Sequence, residues 1–197
     1  MRYLLIVCTT LFITACSPSV YEVTGVDTIT REHQSIAILA PKVDYLFEDT
    51  SKKRWSRVPS KDSIAHGFQL ALTDWVVAQL PPGGPDITLI DLETSRELLS
   101  GATPTDYSQL GSELGVDVVM VSRLKYDTRP HHQLRFELTA VVTELLTSKV
   151  YLNLYTPQEG LIWSYRHQHH RYPPDFDFMV YELVRRATET FPYTTAK

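Results

Sequence analysis

The chain has 197 residues, 43% of them apolar and 21% charged, and a formal net charge of −4. That composition excludes a collagen-like, low-complexity or disordered chain. The acidic balance points away from nucleic acid, which is usually met by a basic face, and no internal repeat divides the chain.

The first residues, MRYLLIVCTTLFITAC, run from one positive charge, Arg2, through an apolar stretch over residues 3–13 broken by Thr9 and Thr10, to small residues. That order is a secretory leader. The stretch is shorter than the roughly 20 apolar residues of a spanning helix. Ile13-Thr14-Ala15-Cys16 resembles the bacterial lipobox, which implies cleavage before Cys16 and a covalent lipid on that cysteine as the only attached group, with no further cofactor. Two acyl chains already make a stable anchor, whereas a single one binds reversibly. Cys8 leaves with the leader and Cys16 carries lipid, so no thiol remains for a disulfide, a metal site or a nucleophile. Ser17 stands where an aspartate would signal inner-membrane retention, so the resemblance implies an outer-membrane anchor with the chain facing the periplasm. The expected organisation is a leader over 1–15, a lipidated cysteine and polar tether over 16–34, and one domain over 35–197, long enough for a single core.

Within that domain the apolar run at 36–40, closed by Pro41, predicts a buried strand. A polar stretch follows over 44–61. Ser60 or Asp62 then caps a helix carrying Ile64, Phe68, Leu72, Trp75, Val76 and Leu80 at helical spacing, stopped by PPGGP. ITLID predicts a second strand and LETSRELLSG a short helix with Asp91 as N-cap and Gly101 as stop. Thr103 followed by Pro104 predicts another helix start, with Leu110 and Leu114 on its apolar side and Gly115 at its end. VDVVMVSRL reads as a strong strand. Three antiparallel strands are expected from LRFELTAVV, KVYLNLY and GLIWSYRH, although residues 137–148 also fit a helical period. Phe176, Val180, Leu183, Val184, Ala187 and Phe191 mark a last helix, closed at Pro192. The result is one α/β domain, a mixed sheet of about five to six strands covered by about three to four helices, with Ile38, Leu89, Val119 and Leu152 in its core.

IAILAP, ITLIDLETSRELL, LGSELGVDVVMVSRL and VYLNLYTPQEGLIWSYRH together resemble a group of bacterial lipoproteins sharing the fold of the TolB amino-terminal domain. The group includes the curli-secretion lipoprotein, the Pel polysaccharide-export lipoprotein and the lipoprotein activators of penicillin-binding proteins. The marks are Pro41, Leu114 with Gly115, residues 117–119 and residues 160–163, and the pattern spans about residues 36–190. The resemblance implies a non-enzymatic envelope component acting in assembly, export or docking through contacts with envelope proteins, with homo-oligomers as one mode. It departs from the curli pore, whose barrel uses long alternating hairpins, because the unassigned segment VDYLFEDTSKKRWSRVPSK is charged and does not alternate.

No G-x-S-x-G elbow, Walker A loop, G-x-G-x-x-G or H-E-x-x-H is present, so no catalytic residue is assigned. His131 and His132, with His167, His169 and His170, form two clusters whose imidazoles suit zinc, copper or nickel. They carry the alternative reading, a periplasmic binding module or metal-dependent enzyme, against a plain reading as solvated loop ends. Lys52, Lys53, Arg54 and Arg57 around Trp55 form a loop suited to an anionic ligand. Expected contact surfaces are residues 44–61 and the strand edge near Tyr151 and Tyr155.

Overall fold

A computed structural model describes residues 18–47, 59–103, 106–133, 141–171 and 176–193. Cys16 and the basic loop with Lys52, Lys53, Arg54, Trp55 and Arg57 lie outside them. The elements in chain order are β1 (Ser19–Glu22), α1 (Val26–Glu32), β2 (Ser35–Ile38), β3 (Lys42–Phe47), α2 (Lys61–Gln79), β4 (Asp86–Leu89), α3 (Leu92–Leu99), α4 (Tyr107–Leu114), β5 (Val118–Gln133), β6 (Val141–Thr156), β7 (Gly160–Arg171) and α5 (Phe176–Thr188).

All seven strands form one mixed sheet in the order β1-β7-β6-β5-β2-β4, with β3 also paired to β5. β2 runs parallel to β4 and to the start of β5. After the break at Pro41 the chain resumes as β3, parallel to β5 from Arg123 to Thr128. β5, β6, β7 and β1 are antiparallel. The α/β class, the single domain and the antiparallel second half agree with the sequence. Residues 141–148 are strand, so the helical alternative is excluded there, and LRFELTAVV and KVYLNLY meet in one long strand, with residues 134–140 outside the described part.

Among the described residues, seven strands and five helices exceed the expected count because two stretches expected as tether and loop join the fold. β1 and α1 lie inside the segment expected as tether, and β3 lies at the start of the segment expected as loop. β1 and β3 each pair along one side only, so neither needs the continuous apolar run of a central strand. α1 is held by buried Val26 and Thr30, and Val23 N donates to Ile162 O at 3.1 Å. Leu89, expected in the core, is 42% exposed, because β4 forms the far edge of the sheet. Ile38, Val119 and Leu152 are buried as expected.

Each sheet face is covered differently. α2 and α5 lie over one face, where Phe68, Leu72, Val76, Leu183 and Val184 close on Ile38, Met120, Leu124, Leu152 and Trp163. Ser60 caps α2 by accepting from Ser63 N at 3.0 Å, and Trp75 meets Tyr181 of α5 edge-on. On the other face α4 covers only one end, around Val119, Val121 and Tyr155. A Cβ at Gly111 would come within 3.0 Å of Pro157, so α4 sits closer to the β6–β7 turn than a larger residue allows. Gly115, at φ +67°, ends α4. Its start differs from expectation: the helix begins at Tyr107, and Thr103, rather than capping it, donates its N–H and Oγ to the Asp106 carboxylate.

Asp117 ties the first and second halves together. Its Oδ2 accepts from Gln34 N, Ser35 N and Ser35 Oγ at 2.8–3.0 Å, while its own N–H donates to Ser35 Oγ at 3.0 Å. The Gln34 amide, chief among these donors, holds the carboxyl below its usual range. A depressed carboxylate stabilises the fold above its unfolded pKa, and that contribution disappears as pH falls through the folded value. Asp117→Ala is therefore expected to lower stability at neutral pH by about 1–2 kcal/mol. The difference should shrink toward zero in strong acid, as read by urea unfolding across pH.

Candidate contact surface on the sheet

In parallel sheets the usual ligand crevice lies beyond the carboxyl ends of the strands. Here that position is filled from within. Gln69, buried on α2, donates to Ile38 O at 2.9 Å and Ile90 O at 2.7 Å, and Ser95 Oγ accepts from Ala40 N at 2.9 Å. The adjoining cavity, about 260 Å3, is lined by Lys42, Lys61, Ser95 and Arg96 but holds no paired nucleophile and base. A second cavity, about 530 Å3, lies among Asp27, Arg31, His33 and Tyr193. Its His33 Nδ1 and Tyr193 Oη are 2.6 Å apart, and burial pushes the imidazole down and the phenol up, so both are neutral near pH 7.

His131 and His132 of β5 stand opposite Thr143 and Val142, whereas His167, His169 and His170 of β7 stand opposite Val150, Ser148 and Thr147, so β6 runs between the two groups. The side chains of His131 and His132 lie outside the described part. Among the described residues no three His, Cys, Asp or Glu side chains gather around a metal position.

The second cluster splits by strand alternation. Trp163, Tyr165, His167 and His169 make an aromatic ladder under α5, with ring centroids 6.0–6.4 Å apart, and Phe178 continues it. His170 faces the other way, between Thr147 Oγ1 at 2.9 Å and Gln168 Nε2 at 2.8 Å. His167 is buried with neither ring nitrogen hydrogen-bonded. Burial, then Arg186 and His169, push its pKa down against the pull of Glu182. Glu182 is itself held near 2 by bonds from Arg185 and Arg186.

On the opposite side of β3, β5, β6, β7 and β1 no helix of the described residues covers the sheet beyond α4. The register lays out rows across it: Lys42, Arg123, Tyr151, Arg166, Ser19 in one, and Asp44, Lys125, Lys149, Gln168 in the next. Among the described side chains, five cations here, Lys42, Arg123, Lys125, Lys149 and Arg166, meet two carboxylates, Asp44 and Asp127. Asp44 binds Arg123 at 2.6–2.7 Å. Lys125 and Arg166 lie over the Tyr151 ring, 5.6 and 5.0 Å from its centroid. Tyr151 was expected at a contact edge; it stands instead mid-sheet, and Tyr155 is buried beneath Tyr107 of α4. The cations of this face went unnoticed in the sequence, since only strand pairing brings residues 42, 123, 149 and 166 together.

No family model matches the sequence, and no curated protein matches it. Among solved structures the chain is similar to the PelC dodecamer from Paraburkholderia phytofirmans, at 10% identity over 92% of this chain and 100% of that one, with a TM-score of 0.48. It is also similar to the lipoprotein GNA1162 from Neisseria meningitidis, at 16% identity over 80% and 99% of the two chains and a TM-score of 0.39. A third is the LpoB C-terminal domain from Salmonella enterica, at 11% identity over 74% and 93%, with a TM-score of 0.37. These include members of the lipoprotein group that the sequence pattern resembles.

Because the fold favours neutral His167, its stability should be full above the ordinary histidine pKa near 6.5 and fall as pH drops below it. His33 and His170, also pushed down, add to that fall. His167→Leu should lose less stability than the natural chain between about pH 7.5 and about pH 5 in urea unfolding. An equal loss would mean that His167 is not the buried neutral group described.

Proposed function

We propose that this chain is a bacterial lipoprotein, anchored through Cys16 in the outer membrane and facing the periplasm, that serves envelope assembly, export or docking by contact rather than catalysis. The observation that carries the reading is the lipobox-like Ile13-Thr14-Ala15-Cys16 placed three residues before Ser19, where the folded sheet begins. The apolar run before it is a leader by length and layout, and the cysteine is the residue type that lipid chemistry requires. The absence of a catalytic motif from the sequence supports a contact role, as does the filling of the strand-end crevice by Gln69 and Ser95. Tethering in two dimensions raises effective concentration, so weak lateral contacts between copies or with envelope proteins become useful.

Cells fed a clickable fatty acid should label the natural chain and leave Cys16→Ser unlabelled, with the variant also retaining its leader. Equal labelling of both would remove the anchor.

A further inference from the structure

We propose that the bare face of β5, β6 and β7 is a contact site for anionic lipid headgroups, laying the domain against the membrane surface beside its anchor. The orientation rests on the reading of Cys16 as the anchor; the charge argument stands on the fold. Ser19 is three residues on from Cys16, and a fully extended chain spans at most about 3.5 Å per residue, so a membrane holding Cys16 lies within about 10 Å of Ser19. Ser19 is the register partner of Arg166. That gap is close to the Debye length of about 8 Å at physiological salt, so Arg166 and its neighbours feel the surface potential.

The face is built as a positive surface in a chain whose net charge is −4. Lys125 and Lys149 are direct register partners on adjacent antiparallel strands, a destabilising like-charge pairing, and Asp44, the partner of Lys125 on its other side, has its carboxylate bonded to Arg123. Arg123 has Asp44, but among the described residues no carboxylate is bonded to Lys125, Lys149 or Arg166. Lys125 and Arg166 both lie over the Tyr151 ring, which keeps two cationic heads at defined places on this face. Toward the anchor the face ends in β1, where Ser19 and Tyr21 share the side of Arg166, and Tyr21, 52% exposed, is an aromatic at the level where headgroups meet hydrocarbon. Lipid plus basic patch is the two-signal arrangement that makes peripheral attachment firm.

Flotation of the unlipidated mature chain, Cys16→Ser, with vesicles tests the headgroup contact without relying on the anchor. Binding is expected to mixed phosphatidylglycerol–phosphatidylcholine vesicles and to be lost at high salt, with none to phosphatidylcholine alone. Each cation near an anionic surface is worth about fivefold in partition, so Lys125→Gln/Lys149→Gln/Arg166→Gln together should weaken binding about 100-fold. Lys125→Gln alone should leave the melting temperature unchanged or raised, because it relieves the pairing with Lys149, so loss of binding in that variant is not loss of fold. Binding unchanged in the triple variant, or no binding to anionic vesicles by the natural face, would overturn the proposal. Binding to alginate without binding to vesicles would also overturn it and assign the face to an acidic polysaccharide. Fatty-acid labelling reads the anchor separately, so the two failures are distinguishable.

Discussion

The antiparallel pairing of β1 with β7 sets how this molecule can sit. Ser19 to Glu22 lie in register with Arg166 to Trp163, so the amino-terminal stretch is committed to the sheet edge within three residues of Cys16. A polar tether of eighteen or so residues would let a domain tumble tens of ångströms from its anchor. With the proposed anchor at Cys16, a link of two residues leaves little freedom of height or tilt. The pairing is supported by Val23 N bonding to Ile162 O and by Val26 buried at the start of α1, so releasing β1 would also expose apolar surface.

The period-two alternation of the strands then separates two environments with no gradual transition. On the helix side, Leu124, Tyr126, Val150, Leu152 and Tyr165 are buried under α2 and α5. One residue along each strand, the side chain turns to the bare face and is Arg123, Lys125, Lys149, Tyr151 or Arg166. A one-residue slip would bury those charges, so the core that stabilises the fold also fixes the cation pattern. Asp117 pins the same register from the other end, through three hydrogen bonds to Gln34 and Ser35. The strand-end crevice where an α/β protein usually keeps a ligand is occupied by Gln69 and Ser95, which satisfy backbone groups of residues 38, 40 and 90. Polar surface suited to recognition is thereby left on the flat of the sheet.

Much of the fold was legible because its signals are local. The helical spacing from Ile64 to Val76, the Ser60 and Asp91 caps and the Gly115 stop all act within one or two turns, and each appears as expected. β1 and β3 were not legible: β1 is exposed along its length, so SVYE looks like polar connection, and KVDYLF is paired on one side only and runs into the charged stretch that follows it. Leu89 was misplaced for the opposite reason, since ITLID has the composition of a central strand but lies at an edge. GLIWSYRH was legible as a strand; the QHH that follows it reads as a loop end, yet it continues the alternation to His169, which places imidazoles where aromatic rings would stand. The bare cationic face depends on residues up to 124 positions apart, Lys42 and Arg166, and no window of sequence contains it.

The fold begins three residues after Cys16, the proposed anchor. Amide hydrogen exchange over residues 19–22 of the mature protein, followed by mass spectrometry, tests this start directly. Pairing with β7 predicts that these amides exchange far more slowly than free chain and become exposed together with α1 when the edge opens. Exchange at the free-chain rate, with α1 and β7 still protected, would contradict it and restore a long flexible tether between lipid and domain.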